Sequence, residues 1–334
     1  METVLKKKIL IVGGGSWATA LIKILSNGPS NLSWWMRDEA AIEHLKTYSH
    51  HPNYLQSAEF NTAKINISSN LKILISECEV LIVAVPSAFV HSTFKEIPKA
   101  LLQDKVIFSA LKGMIPEMKA IPARYFHKSF DIPYENMGII CGPCHAEEVA
   151  MERLSYLTIA CSDLNKATEM ANILACRYIK TSVSDDLFGT EFSAILKNVY
   201  ALATGISAGL GYGDNFQAVL ISNSIREIET FIDALHPIHR DTKTSAYLGD
   251  LLVTAYSKFS RNRTFGFMIG KGYSVKAAQL EMNMVAEGYY AVKSLYQIKN
   301  EFKVEMPILE CVYGILYENK SPKNKLKTLT DQLD

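Results

Sequence analysis

Residues 8–18 read Lys-Ile-Leu-Ile-Val-Gly-Gly-Gly-Ser-Trp-Ala, a short apolar run that breaks into three glycines and then into a helix-forming stretch. No other feature narrows the possible folds as much. Ile9 to Val12 have the continuous apolar character of a strand buried on both faces. Gly13 allows the tight turn, and Gly15 lets the backbone come close to a pyrophosphate. Ala18 keeps the next helix near the sheet, while the helix N-terminus offers N–H groups and a positive dipole. With Ser16 and Trp17 in the same turn, this is a G-x-G-x-x-A fingerprint between strand and helix, the context that gives it meaning as a dinucleotide-binding motif. A glycine-rich turn without a ligand is the plainer alternative.

The rest of the first half repeats the alternation. Strand-like runs occur at Lys8–Val12, Leu32–Met36, Lys64–Ile67, Val80–Val85, Val106–Ser109, Met137–Cys141, Tyr156–Ala160 and Tyr178–Val183, with helices such as Trp17–Ser26 and Asp38–Lys46 between them. Apolar strands separated by helices predict a parallel sheet covered on both faces, an α/β Rossmann-type doubly wound fold. Beyond about Asp185 the pattern becomes helical, around Phe192–Ala208, Gln217–Leu235, Ala246–Lys258 and Val285–Phe302, with Gly209–Asp214 and Ser257–Thr264 as interruptions. The expected division is a dinucleotide-binding domain over residues 1–186 and an all-α substrate and catalytic domain over 187–334. No linker rich in Pro, Gly or Ser lies between them.

Composition removes several function classes. With 35 Lys+Arg against 34 Asp+Glu the formal net charge is +1, which gives no support to broad binding of nucleic acid or anionic membranes. The apolar core behind the N-terminal lysines is only Ile9–Val12, shorter than the roughly 7–15 residues of a signal peptide. The stretch Val199–Ile221 holds glycines, Asp214 and Asn215, and lacks the ~18 unbroken apolar residues of a spanning helix. A cytoplasmic protein without an integral membrane segment is expected. Six cysteines in 334 residues make no disulfide framework. Cys141-Gly142-Pro143-Cys144 imitates a thioredoxin motif, but it follows a strand in a much larger chain, and no second CxxC completes a four-thiolate metal site. The histidines show no helical ligand pair, so no metal is expected.

At the end of the second strand a carboxylate would hold a ribose 2′-hydroxyl, whereas an arginine accommodates a 2′-phosphate. The sequence places Arg37 before Asp38. Arg37 is nearer the strand end, which favours NADPH, and Asp38 leaves NADH open.

A dinucleotide fold does not specify a reaction. Further along stand AVPS at 84–87, LKG at 111–113, CGPCHAEEVA at 141–150, LKNVYALATGISAGLGYGDN at 196–215, LGDL at 248–251, SRNRTFG at 260–266, VAEG at 285–288 and EMPI at 305–308. Together with GGGSWATA at 13–20, and in this order, they resemble the bacterial-type NAD(P)-dependent glycerol-3-phosphate dehydrogenases along nearly the whole chain. The resemblance implies reversible reduction of dihydroxyacetone phosphate to sn-glycerol 3-phosphate, supply of glycerophospholipid synthesis, and a homodimer. It assigns the general acid/base to Lys197. An ordinary lysine titrates near 10.4, so burial or a neighbouring cation, with Lys112 a candidate, must lower its pKa. Ser260, Arg261 and Asn262 fall to the substrate, Arg261 also to the cofactor, and their hydroxyl, guanidinium and amide suit a phosphate.

By the same resemblance Asp250, Gly142 and Cys144 line the substrate, and Lys112 contacts substrate and cofactor. Ala146, Val285 and Glu287 lie along the cofactor. Asp250 read alone is also a plausible helix N-cap before Leu251.

Two departures stand out. Cys144 replaces a usual hydroxyl residue and is a weaker donor, and Ala18 replaces a usual glycine. The 6-phosphogluconate, 3-hydroxyisobutyrate and ketopantoate-type reductases also use a helical-domain lysine. The SRNR stretch with the LKG and GP signals favours a triose phosphate over their substrates. A catalytically silent dinucleotide sensor would be expected to lack Lys197, Asp250 or Arg261.

Overall fold

The computed structural model describes residues 6–282 and 286–334. Val285 therefore lies outside the described residues. The chain divides into two compact units. One runs to Leu111 and resumes over Pro122–Leu187, and the other joins Lys112–Ile121 to Phe188–Asp334. A division at a single point in sequence does not contain this excursion, which carries Lys112 into the helical unit.

The first unit is organised on one sheet of β1 (Lys8–Val12), β2 (Asn31–Trp35), β3 (Ile65–Ser68), β4 (Val80–Val83), β5 (Val106–Ser109), β6 (Met137–Cys141), β7 (Ser155–Cys161) and β8 (Ile179–Ser184). Their spatial order is β3-β2-β1-β4-β5-β6-β7-β8. The order reverses between β1 and β4, and such sheets bind ligands beyond the carboxyl ends of the strands at that point. Ile9, Leu10, Ile11 and Val12 have no exposed surface, as a strand covered on both faces requires. One expectation is corrected: the sheet is not wholly parallel. β6 pairs antiparallel with β7, Gly138 opposite Cys161 and Cys141 opposite Thr158. The connection between them holds only the five-residue helix Ala146–Ala150, less than the covering helix of a parallel crossover.

The second unit contains the helices Leu187–Gly209, Asp214–Leu235, Asp250–Tyr256, Arg261–Gly270, Val275–Glu281, Glu287–Glu301, Pro307–Tyr317 and Pro322–Thr330. Two boundaries differ from the expected ones. The expected interruption at Ser257–Thr264 ends at Ser260, because the Ser260 hydroxyl accepts the Arg263 N–H at 3.3 Å and starts a helix at Arg261. The segment read as one helix from Ala246 is a wide π turn over Ser245–Gly249 that feeds Asp250–Tyr256.

The helices Leu187–Gly209 and Arg261–Gly270 meet backbone to backbone. A Cβ on Gly205 or Gly209 would overlap the Arg263 or Phe267 carbonyl oxygen, and one on Gly266 or Gly270 would overlap that of Leu202 or Ile206. Two small-residue pairs, each four apart, thus interlock, and only glycine permits so close an approach. No helix among the described residues is long and apolar enough to cross a membrane.

Candidate active site

The glycine-rich turn fits the phosphates of a dinucleotide. Gly13 has φ +145°, and a Cβ there would lie 2.7 Å from the Ala84 carbonyl oxygen, so this position must be glycine. The turn is pinned by the Gly13 N–H donating to the Trp35 carbonyl at 3.1 Å and by the Trp34 indole N–H donating to the Gly13 carbonyl at 2.7 Å. At Gly15 a Cβ would meet nothing within 4 Å, which leaves open space against the backbone. Gly15 is the N-cap of the helix Ser16–Leu25 and has no side chain to cap it. Its first turn, with Ser16 buried and Trp17 half-buried, presents a helix N-terminus, which favours an anion.

At the end of β2 the two neighbours separate in role. The Asp38 carboxylate accepts the Ala40 and Ala41 N–H groups at 3.0 and 3.2 Å and caps the helix Glu39–Tyr48. Arg37 is exposed. A capping carboxylate has part of its acceptor capacity committed, while the guanidinium faces solvent.

Gly142, Cys144 and Ala146 follow β6, which runs parallel to β5, so they share the carboxyl edge of the sheet with the glycine-rich turn. Gly142 has φ +123°, and a Cβ there would lie 2.6 Å from the Tyr156 carbonyl oxygen. The Cys144 thiol donates to the Tyr156 carbonyl at 3.1 Å, and that of Cys141 to the Thr158 carbonyl at 3.6 Å. Neither is in a disulfide.

In the helical unit a lysine sits inside. Lys197 is 4% exposed and Asp250 1%, and the Lys197 ammonium is ion-paired with Asp250 Oδ1. The ammonium of Lys112 lies 3.4 Å from Asp250 Oδ2. One carboxylate therefore faces two cations. Burial, above all, and then the charge of Lys112 pull the Lys197 pKa down to about 7, against the opposing pull of Asp250. A proton held there is exchangeable near neutrality. Asp250 is the first residue of its helix, and no side chain caps that helix. The N-cap alternative is thus replaced by the ion pair.

The helix beginning at Arg261 sets Ser260 and Asn262 in buried positions and Arg261 in an exposed one. The Asn262 Oδ1 accepts the Gly288 N–H at 2.9 Å, and this bond ties the helix to the start of Glu287–Glu301, where Glu287 is half-buried. Ser260 and Asn262 therefore carry structural bonds in addition to any contact with a substrate.

Two residues given no role in the sequence reading help to build the site. The Asn198 side-chain N–H donates to the Lys112 carbonyl at 2.7 Å and fixes the segment that carries Lys112. Its neighbour Lys197 was the available signal. Trp34 reads only as a strand aromatic. Among the described residues no group of three or more His, Cys, Asp or Glu could hold a metal ion.

Residues 8–167 match the family model described as NAD-dependent glycerol-3-phosphate dehydrogenase N-terminus, and residues 186–327 match the C-terminus of the same family. The chain is 31% identical over 322 residues to a protein of Clostridium botulinum (strain Eklund 17B / Type B) named glycerol-3-phosphate dehydrogenase [NAD(P)+], with 96% of each chain covered. A protein of Limosilactobacillus reuteri (strain DSM 20016) with the same name is 31% identical over 332 residues, covering 98% of this chain and 97% of that one. The crystal structure of glycerol-3-phosphate dehydrogenase from Coxiella burnetii superposes with a TM-score of 0.90 at 26% identity, covering 97% and 99% of the two chains.

Proposed function

This chain belongs to the NAD-dependent glycerol-3-phosphate dehydrogenase family, and on that premise we propose that it interconverts dihydroxyacetone phosphate and sn-glycerol 3-phosphate with NAD(P)H. The observation that carries the chemistry is the buried Lys197 paired with Asp250 beside Lys112. A nicotinamide held at the glycine-rich turn would supply the hydride for the ketone carbon, and the ketone oxygen would then need a proton. Lys197 gives that proton from its ammonium group, and in the reverse direction its neutral amine removes it from the alcohol. Asp250 orients the ammonium, and Lys112 keeps its pKa near the working pH.

The remaining assignments rest on the resemblance together with the placements above. Ser260, Arg261 and Asn262 bind the substrate phosphate, with Arg261 as the charged partner, while Gly142, Cys144, Lys112 and Asp250 line the triose. Gly13, Gly15, Ser16, Trp17, Arg37, Lys112, Ala146, Arg261, Val285 and Glu287 hold the cofactor. Asp38 is engaged as a cap and Arg37 is exposed at the strand end, which supports NADPH over NADH. Residues 1–186 bind the dinucleotide, and 187–334, with Lys112 joining them, carry substrate and proton chemistry. The enzyme acts as a cytoplasmic homodimer and feeds glycerophospholipid synthesis.

The test is oxidation of NADPH and of NADH in the presence of dihydroxyacetone phosphate, with unphosphorylated dihydroxyacetone as control. Oxidation that requires the phosphate is expected, faster with NADPH. No oxidation of either cofactor would overturn the assignment. Within it, Arg261→Ala raises the KM for dihydroxyacetone phosphate by about tenfold or more, the scale of a lost charge-assisted bond. An effect confined to cofactor affinity would remove Arg261 from the phosphate site.

A further inference from the structure

Asn262 lies in the first turn of the helix Arg261–Gly270 and is 8% exposed. Its carboxamide has two ends of opposite character, an oxygen that only accepts and an amino group that only donates. Turned one way it offers a bound anion two N–H groups. Turned the other way it offers an oxygen, which repels. A neighbour decides between them. The Gly288 backbone N–H lies 2.9 Å from Asn262 Oδ1, and because a backbone N–H can only donate, the atom that faces it is the oxygen. The Nδ2 group is left on the other side of the carboxamide, with no hydrogen-bond partner among the described residues.

The Gly288 N–H belongs to the first turn of the helix Glu287–Glu301, where the leading N–H groups have no partner within their own helix. Ala286 at the N-cap has no polar side chain to serve them, so Asn262 caps this helix from another one. The approach requires glycine. A Cβ at position 288 would lie 2.7 Å from the Asn198 carbonyl oxygen and 2.8 Å from Asn262 Oδ1. Gly288 thus fills a notch between the helix that carries Lys197 and the helix start that carries Ser260, Arg261 and Asn262.

We infer that Gly288 is a positioning residue for phosphate recognition: its N–H takes the oxygen of Asn262 and so commits the Nδ2 donors to the substrate phosphate. A phosphate dianion presents acceptors only, so this orientation of the amide is the one that binds it. This rests on the reading of Asn262 as a phosphate ligand, and it supplies what makes that amide a donor. The glycine that ends VAEG then has a task separate from the cofactor contacts proposed for Val285 and Glu287.

The test follows the KM for dihydroxyacetone phosphate with NADPH, the inhibition constant of inorganic phosphate as competitor, and Tm. Asn262→Asp keeps an oxygen for the Gly288 N–H and replaces the donor by a second, charged oxygen. It is expected to hold the Tm of the parent, since an acidic residue suits a first helical turn, while both phosphate constants rise by about a hundredfold. Asn262→Ala removes the donor without adding charge and is expected to raise them by about tenfold, with a lower Tm because the cap is lost as well. Gly288→Ala forces the N–H and the oxygen apart and is expected to raise both constants by about tenfold. In the Asn262→Ala background it is expected to add less than about twofold, because the amide through which it acts is gone. Phosphate constants of Asn262→Asp within a few-fold of the parent's would overturn the positioning role. So would a Gly288→Ala effect undiminished in the Asn262→Ala background, which would place its action on Asn198 instead. If Gly288→Ala does not fold, the contrast between Asn262→Asp and Asn262→Ala decides. A parent chain that does not reduce dihydroxyacetone phosphate at all would overturn the underlying reading, an outcome distinct from normal turnover with an indifferent Asn262→Asp.

Discussion

Lys197→Met lowers turnover of dihydroxyacetone phosphate by about a hundredfold or more, the scale of lost general acid catalysis, while NADPH binding is retained. Methionine fills most of the lysine volume, and Lys112 remains beside Asp250 at 3.4 Å, so the buried carboxylate keeps a cationic partner and the fold survives. The pH dependence carries a sign. Reduction needs the ammonium form, and with the pKa held at about 7 its rate falls as pH rises through that value. Oxidation needs the neutral amine and rises over the same interval. In Lys197→Met both limbs are lost. Turnover within a few-fold of the parent, or an unaltered pH profile, would move the proton chemistry to another residue.

The second large effect lies away from any reacting atom. Gly266→Ala puts a methyl group into the Leu202 carbonyl oxygen. Because that oxygen belongs to helix backbone, the contact can relax only by parting two helices. Overpacking of this kind costs about 1–3 kcal/mol or more, or several degrees in Tm for a unit of this size, at roughly 2–4 °C per kcal/mol. Gly205→Ala, directed at the Arg263 carbonyl, has the same outcome. Thermal melts check the stability change, and the KM for dihydroxyacetone phosphate checks whether the parted helices disturb the site. Parent-like values of Tm and KM for both variants would show that the helices can slide apart freely.

The layout of strands and helices was legible because the periodicity switches from continuous apolar runs to helical spacing near Asp185, and buried two-faced strands leave no other pattern. Chain direction at β7 was not legible. Its composition is the same whether it pairs parallel or antiparallel with β6, and only the length of covering helix between them distinguishes the two. The helix start at Arg261 was legible in principle, since Ser260 is a standard capping residue, but the cap was hidden behind the reading of the same serine as a phosphate ligand. Lys197 was legible from its apolar flanks, and a lowering by burial and Lys112 was anticipated. What no local pattern could supply was the path by which Lys112 reaches Asp250, because that depends on an excursion of the chain between the units. Trp34 escaped for a related reason: its partner is a carbonyl group, which leaves no trace in a sequence.

The interlocked glycines also act as a ruler. On the proposed assignment, Lys197 addresses the carbonyl end of the substrate and the Ser260–Asn262 helix start addresses its phosphate. The separation between these helices is set by contact of main chain with main chain, not by side chains that could repack. A substrate one carbon longer therefore cannot gain room by displacing a flexible wall, and side-chain substitutions in the pocket can change affinity without changing the span. On that assignment chain-length selectivity would follow from two helix backbones, and altering it would require changes at residues that never touch the substrate.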